Sequence, residues 1–130
     1  MKKLTNYIPK RRVYVSQYKQ THPFEKREAE SRSISCKYPD RVPVVCERFG
    51  DDIPLLDKNK YLVPKELTVS QFHYVIRKRL SLRPDQTIFF YVKENIPTAT
   101  AIVGDIYEQY KDSDGFLYFV YTTENAFGDF

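Results

Sequence analysis

Tryptophan is absent from this sequence, and cysteine occurs only twice, as Cys36 and Cys46. Two cysteines are too few for a disulfide scaffold, and they lack metal-ligand spacing, so they read as reduced thiols and no metal site is expected. No apolar run approaches the roughly 20 residues that cross a bilayer. The N-terminus is charged but lacks the apolar segment of a secretory signal. Repeats and low-complexity tracts are also missing. The expectation is a soluble intracellular protein of one domain, whose 42% hydrophobic residues suffice for a compact core.

Acidic residues are missing from positions 1–22, which carry Lys2, Lys3, Lys10, Arg11, Arg12 and Lys19. The remaining 15 bases face all 17 acids, so the net charge of +4 belongs to an N-terminal arm and not to the body. Residues 1–20 show no period, contain Pro9, and read as a flexible basic arm suited to an acidic partner such as tubulin, an anionic membrane or nucleic acid.

Aromatic residues are plentiful, with 11 Tyr and 9 Phe. Thr21 or His22 is expected to cap a largely polar helix carrying Pro23 in its first turn and anchored by Phe24 and Ile34. Arg41–Phe49 is β-branched and apolar and reads as a strand. Lys60–Pro64 reads as a second strand, placed at a sheet edge because Pro64 cannot donate to a ladder. Thr68 and Gln71 form a capping box for a helix with Val69, Phe72, Val75, Ile76 and Leu80 on one face. A third strand over Thr87–Val92, a helix after Pro97 with Ile102, Val103, Ile106, Tyr107 and Tyr110 on its face, and a last strand over Phe116–Tyr121 complete the pattern. This order gives an α+β fold: a four-stranded mixed sheet with helices on one face, in the β-grasp layout of ubiquitin, preceded by a helical extension. The domain is expected over residues 21–121, followed by a mobile tail over 122–130.

The stretches PFEKREAES, RVPVVCERF, DIPLLDKNKYLVPKELTVSQFHYVIRKRL and DGFLYFVYTTENAFG resemble the autophagy-related protein 8 family of ubiquitin-like modifiers, which includes GABARAP. The similarity runs from about Pro23 to Gly128. The basic stretch before Pro23 departs from the short helical start usual in that family.

The resemblance implies a modifier cut after Gly128 by a processing cysteine protease, with Phe127 as recognition residue and Asp129 and Phe130 removed. Enzymes of E1, E2 and E3 type would then join Gly128 to phosphatidylethanolamine, with no cofactor in the protein itself. The chemistry agrees with this, because a glycine carbonyl is unhindered and its backbone accepts unusual conformations. The implied locations are the cytoplasm, the autophagosome or vesicle membrane through the lipid anchor, and the vacuole or lysosome. The implied partners are autophagy receptors and adaptors with an aromatic-x-x-aliphatic motif, added as a strand beside Lys60–Pro64. One pocket would be lined by Ile34, Pro43, Val45, Leu62 and Phe116, with Lys60 on its rim and Glu30 restricting entry. A second would use Tyr61, Val63, Pro64, Leu67, Phe72 and Val75. Arg41 and Arg79 would attract acidic residues flanking the motif.

Three other classes bear on the same residues. Catalysis would need His22 or His73 to pair with a cysteine, yet no nucleophile signature surrounds either thiol. A specific nucleic-acid reader is disfavoured by the acidic body and by the lack of an RNA-binding aromatic–basic motif. An unconjugated interaction module, associated with microtubules or trafficking, would share the fold and differ in the fate of Gly128.

Overall fold

The computed structural model describes residues 14–123. In chain order these form α1 (Gln17–Thr21), α2 (Phe24–Lys37), β1 (Arg41–Arg48), β2 (Lys60–Pro64), α3 (Val69–Leu80), β3 (Phe89–Tyr91), α4 (Val103–Tyr110) and β4 (Leu117–Thr122). The four strands lie in the order β2-β1-β4-β3. β1 pairs antiparallel with β2 and parallel with β4, and β3 closes the other edge antiparallel to β4. β2 thus lies at an edge, as its proline requires.

Side-chain alternation sorts the molecule into layers. Val42, Val44 and Cys46 of β1, Val63 of β2, and Leu117, Phe119 and Tyr121 of β4 face α3 and α4, where Phe72, Ile76, Val103 and Ile106 complete the main core. The intervening residues face the other way. Val45 and Phe116 pack under Tyr18 of α1 with Ile34 of α2, and Tyr91 and Val120 pack with Tyr14 and Phe49. Helices therefore cover both faces of the sheet, which corrects the one-sided arrangement expected from sequence. The reason is visible in β1, where Val42–Glu47 are all buried, as in a strand covered on both sides.

Other differences are local. The flexible arm was expected to run to residue 20, but Ser16 caps a helix there by accepting the Lys19 N–H, and Tyr18 is buried. His22 takes an extended conformation (φ −132°, ψ 125°), as a residue before proline prefers. It separates α1 from α2, so neither Thr21 nor His22 caps α2; Pro23 stands at its N-cap without a side-chain cap bond. Phe24 is 38% exposed, and the buried residues of α2 are instead Arg27 and Ser31, one turn apart.

Both of these buried residues reach Asp114, which is fully buried. Arg27 Nε donates to its Oδ2 at 2.8 Å and the Ser31 hydroxyl to its carbonyl oxygen at 2.5 Å. The same carboxylate accepts the Tyr118 hydroxyl at 2.6 Å and the Phe116 N–H at 2.8 Å. Gly115 next door has φ +92°, and a Cβ there would collide with the Ser31 hydroxyl. A largely polar helix is thus tied to an aromatic sheet face through both the carboxylate and the carbonyl of one buried aspartate.

The α3 capping box forms as expected, with Gln71 N–H donating to Thr68 Oγ1 at 3.2 Å and Thr68 N–H to Gln71 Oε1 at 2.9 Å. β3 is shorter than expected, and α4 begins at Val103, with Ile102 before it paired to Thr68. β4 extends to Thr122, which pairs with Phe89, and the Thr123 hydroxyl donates to the Asp52 carboxylate. The first two residues assigned to a mobile tail are therefore held. The rest of that tail and residues 1–13 lie outside the described residues.

Candidate functional site: the β2 edge and its two faces

The outward groups of β2 follow from its register. Cys46 N–H donates to Asn59 O at 2.8 Å and Lys65 N–H to Asp40 O at 3.1 Å. Antiparallel pairing alternates, so residues 59, 61, 63 and 65 aim their main chain at β1. Lys60 and Leu62 consequently direct N–H and C=O away from the sheet, and Pro64 offers a carbonyl alone.

On the α1/α2 face the structure brings Glu30, Ile34, Pro43, Val45, Lys60, Leu62 and Phe116 into one neighbourhood. Pro43 pairs with Leu62, and Val45 pairs with Lys60. Val45 and Phe116 have no exposed surface, because the Tyr18 ring stands edge-on to Phe116 at 5.5 Å. Leu62 is half-buried and Ile34 packs against this cluster. A three-part latch closes the margin. Glu30 accepts Lys60 Nζ on Oε2 and the Tyr18 hydroxyl on Oε1, each at 2.5 Å, and Lys60 lies 5.5 Å from the Tyr18 ring centre.

Burial by itself raises the Glu30 carboxyl, but the bonds from Lys60 and Tyr18 outweigh it and hold the group below the usual carboxylate range. The Tyr18 phenol is pushed well up, first by burial and then by its bond to Glu30.

The opposite face divides the second set. Val63 and Phe72 are 3% and 2% exposed and belong to the main core. Tyr61 is half-buried and stands edge-on to Phe72 at 5.9 Å, its hydroxyl donating to Lys58 O at 2.6 Å. Pro64 and Leu67 are half-buried, and Val75 is 40% exposed on the outside of α3. Tyr61, Pro64, Leu67 and Val75 therefore offer surface, while Val63 and Phe72 support it from below. Arg79 pairs with Asp57 at 3.2 Å and lies 5.8 Å from the Tyr61 ring, whereas Arg41 is exposed at the start of β1.

Comparisons with known proteins agree on one family. Residues 26–128 match the family model described as "Autophagy protein Atg8 ubiquitin like". The autophagy-related protein 8 of Neurospora crassa is 55% identical over 116 residues, covering 88% of this chain and 96% of that protein. Its Emericella nidulans counterpart is 55% identical over 115 residues, covering 88% and 98%. The chain belongs to the Atg8 family.

Solved Atg8 structures share its fold. Trypanosoma brucei ATG8 superposes with a TM-score of 0.81 at 42% identity, covering 88% of this chain and all of that one. Plasmodium falciparum Atg8, solved in complex with a Plasmodium falciparum Atg3 peptide, gives 0.78 at 34% identity, covering 85% and 98%. This Atg8-family chain is accordingly a ubiquitin-like protein of autophagy and not an enzyme. The expected processing residues Phe127, Gly128, Asp129 and Phe130 lie outside the described residues.

Two buried groups were missed in the sequence: Tyr18 at this Atg8 site, and Glu47, which accepts the Tyr18 N–H. Tyr18 roofs the first cluster, yet it sits in a polar stretch without period, and its burial depends on Phe116 far along the chain. Glu47 was passed over within an apolar strand. Its signal was the charge itself, since an acid between Cys46 and Arg48 in a buried strand needs a partner.

Proposed function

We propose that this Atg8-family protein is cleaved after Gly128, conjugated there to phosphatidylethanolamine, and recruits receptors and adaptors whose aromatic-x-x-aliphatic segments lie along β2. The observation that carries the reading is the edge of β2, left unpaired among the described residues, where Lys60 and Leu62 direct their main chain outward between two partly apolar faces. An extended peptide gains main-chain bonds at such an edge and specificity from side chains set into flanking pockets. The aromatic side chain would enter beside Leu62, Pro43 and Ile34 after Tyr18 and the Glu30–Lys60 pair give way. The aliphatic one would rest on Tyr61, Pro64, Leu67 and Val75. Arg41, Lys60 and Arg79 would draw acidic flanks and raise the on-rate.

The Plasmodium relative solved with a peptide supports peptide recognition, and the family match extending to Gly128 supports use of that glycine. Processing protease, conjugation enzymes and the autophagosomal membrane follow as partners and location, with cytoplasm before lipidation and vacuole or lysosome after delivery. The basic residues at the N-terminus would serve an acidic surface such as tubulin.

Intact mass spectrometry of the protein from autophagy-induced eukaryotic cells tests the proposal, beside Gly128→Ala. Loss of Asp129 and Phe130 together with a phospholipid adduct, both absent from the variant, is the expected result. An unaltered C-terminus in the parent chain would overturn conjugation and leave a peptide-binding module.

A further inference from the structure

Glu47 projects from β1 beneath the start of α1 and is 8% exposed. Its Oε2 accepts the Tyr18 N–H at 2.8 Å, and the Gln17 N–H also bonds to this carboxylate, so it holds the first turn of the helix. The other oxygen, Oε1, is buried without a hydrogen-bond partner, and so is the Tyr14 hydroxyl. Both residues line one cavity of about 370 Å³, beside Arg48 and Asn59. Buried polar atoms are nearly always bonded, so two orphans carried by residues that line one cavity point to a ligand that brings its own donors.

The charges narrow the class. Arg48 is already committed, donating to Ile53 O at 2.7 Å, and Asp57 on the same cavity is paired with Arg79. Among the described residues no lysine or arginine forms an ion pair with Glu47, so a buried carboxylate lacks a counterion. The rim is mixed: Val15 and Leu55, at 58% and 66% exposure, border the opening beside exposed Gln17, Asp57 and Asn59.

We propose that this cavity receives a lysine side chain presented by a partner protein. The methylene stem would lie between Val15 and Leu55, and the ammonium would donate to Glu47 Oε1 and to the Tyr14 hydroxyl oxygen. Lysine fits better than arginine. Oε2 already accepts the Tyr18 N–H, which leaves a single carboxylate oxygen for a compact ammonium and denies a guanidinium the paired oxygens it prefers. The cavity shares no residue with either expected pocket of β2, so its occupant would be read independently of the motif.

The test is an NMR titration of the isotope-labelled full chain with Nα-acetyl-lysine amide. Nε-acetylated lysine and norleucine amides serve as neutral controls. The expected result is saturable shifts at Tyr14, Glu47 and Leu55 in the millimolar range for the ammonium probe alone. Glu47→Gln should weaken this by about tenfold or more, as loss of a charge-assisted bond does. Tyr14→Phe, which removes one hydroxyl, should weaken it severalfold and decides the matter if the Glu47 variant does not fold. Equal shifts from norleucine amide, or affinity unchanged in both variants, would overturn the site. If the probe enters only after Lys2, Lys3 and Lys10 are changed to glutamine, the occupant is this chain's own lysine and the partner assignment falls.

Discussion

Arg27 on α2 and Asp114 before β4 meet through a 2.8 Å bond from Nε to Oδ2, although 87 residues separate them. Asp114 is fully buried, and it also receives Phe116 N–H and the Tyr118 hydroxyl. Asp114→Ala should cost roughly 3–5 kcal/mol, because it strands a mostly buried guanidinium. Urea unfolding measures the loss, and a variant within about 1 kcal/mol of the parent would remove Asp114 as the anchor of α2.

The latch of Glu30, Lys60 and Tyr18 should fail only in acid. The folded Glu30 carboxyl is held below its ordinary value, so its contribution to stability is present above the unfolded value of about 4.3 and is lost as pH falls through the lower folded value. Carboxyl NMR titration should therefore find Glu30 still ionised at pH about 4.3. In Lys60→Met the midpoint should move upward.

Glu47 should behave in the opposite sense. Burial raises its carboxyl, and the Tyr18 and Gln17 N–H groups offset this only in part. The stability attached to this group is full below about 4.3 and is lost as pH rises through the raised folded value. Glu47→Gln should thus match the parent in acid and gain on it across that window. Denaturant unfolding at a series of pH values reads the difference, and a gap that narrows with rising pH would contradict the assignment.

Leu62 and Phe72 separate binding from folding. Leu62→Ala, on the half-buried outer edge, should weaken an aromatic-x-x-aliphatic peptide by about 2 kcal/mol with the domain still folded. Phe72→Ala removes a core ring and should destabilise by about 3–5 kcal/mol. Calorimetric binding beside thermal unfolding distinguishes them, and unchanged peptide affinity in Leu62→Ala would sink the edge assignment.

Thr68→Ala should lower stability by about 1 kcal/mol, because the capping box loses its Gln71 N–H acceptor. A thermal midpoint equal to the parent's would show that α3 is held by packing alone.

Local signals were the legible ones. The capping box at Thr68, the edge placement of Pro64 and the apolar face of α3 are written in residues a turn or two apart, where spacing carries the information. The α2 attachment was not legible, since Arg27, Ser31 and Asp114 acquire meaning only when distant segments meet. The helices on the second face were missed for a related reason. A run such as Val42–Glu47 says that a strand is covered on both sides without saying by what, and the polar α1 and α2 announce no apolar stripe. At the site, β2 and its neighbours could be named, but the division of Val63 and Phe72 from Tyr61 and Leu67 depends on how deeply the sheet lies beneath α3.

β4, the last element among the described residues, is also an inner strand, running parallel to β1 through the pairs Val44–Leu117 to Arg48–Tyr121. A load borne by the chain beyond Thr123 is therefore delivered to the middle of the sheet. Opposed by a hold near the start of β1, it would pull the two parallel strands past each other, with their ladder bonds strained together and not peeled one at a time. A protein tethered at that end and gripped at the β2 edge would resist tension through the most deeply packed strands it has.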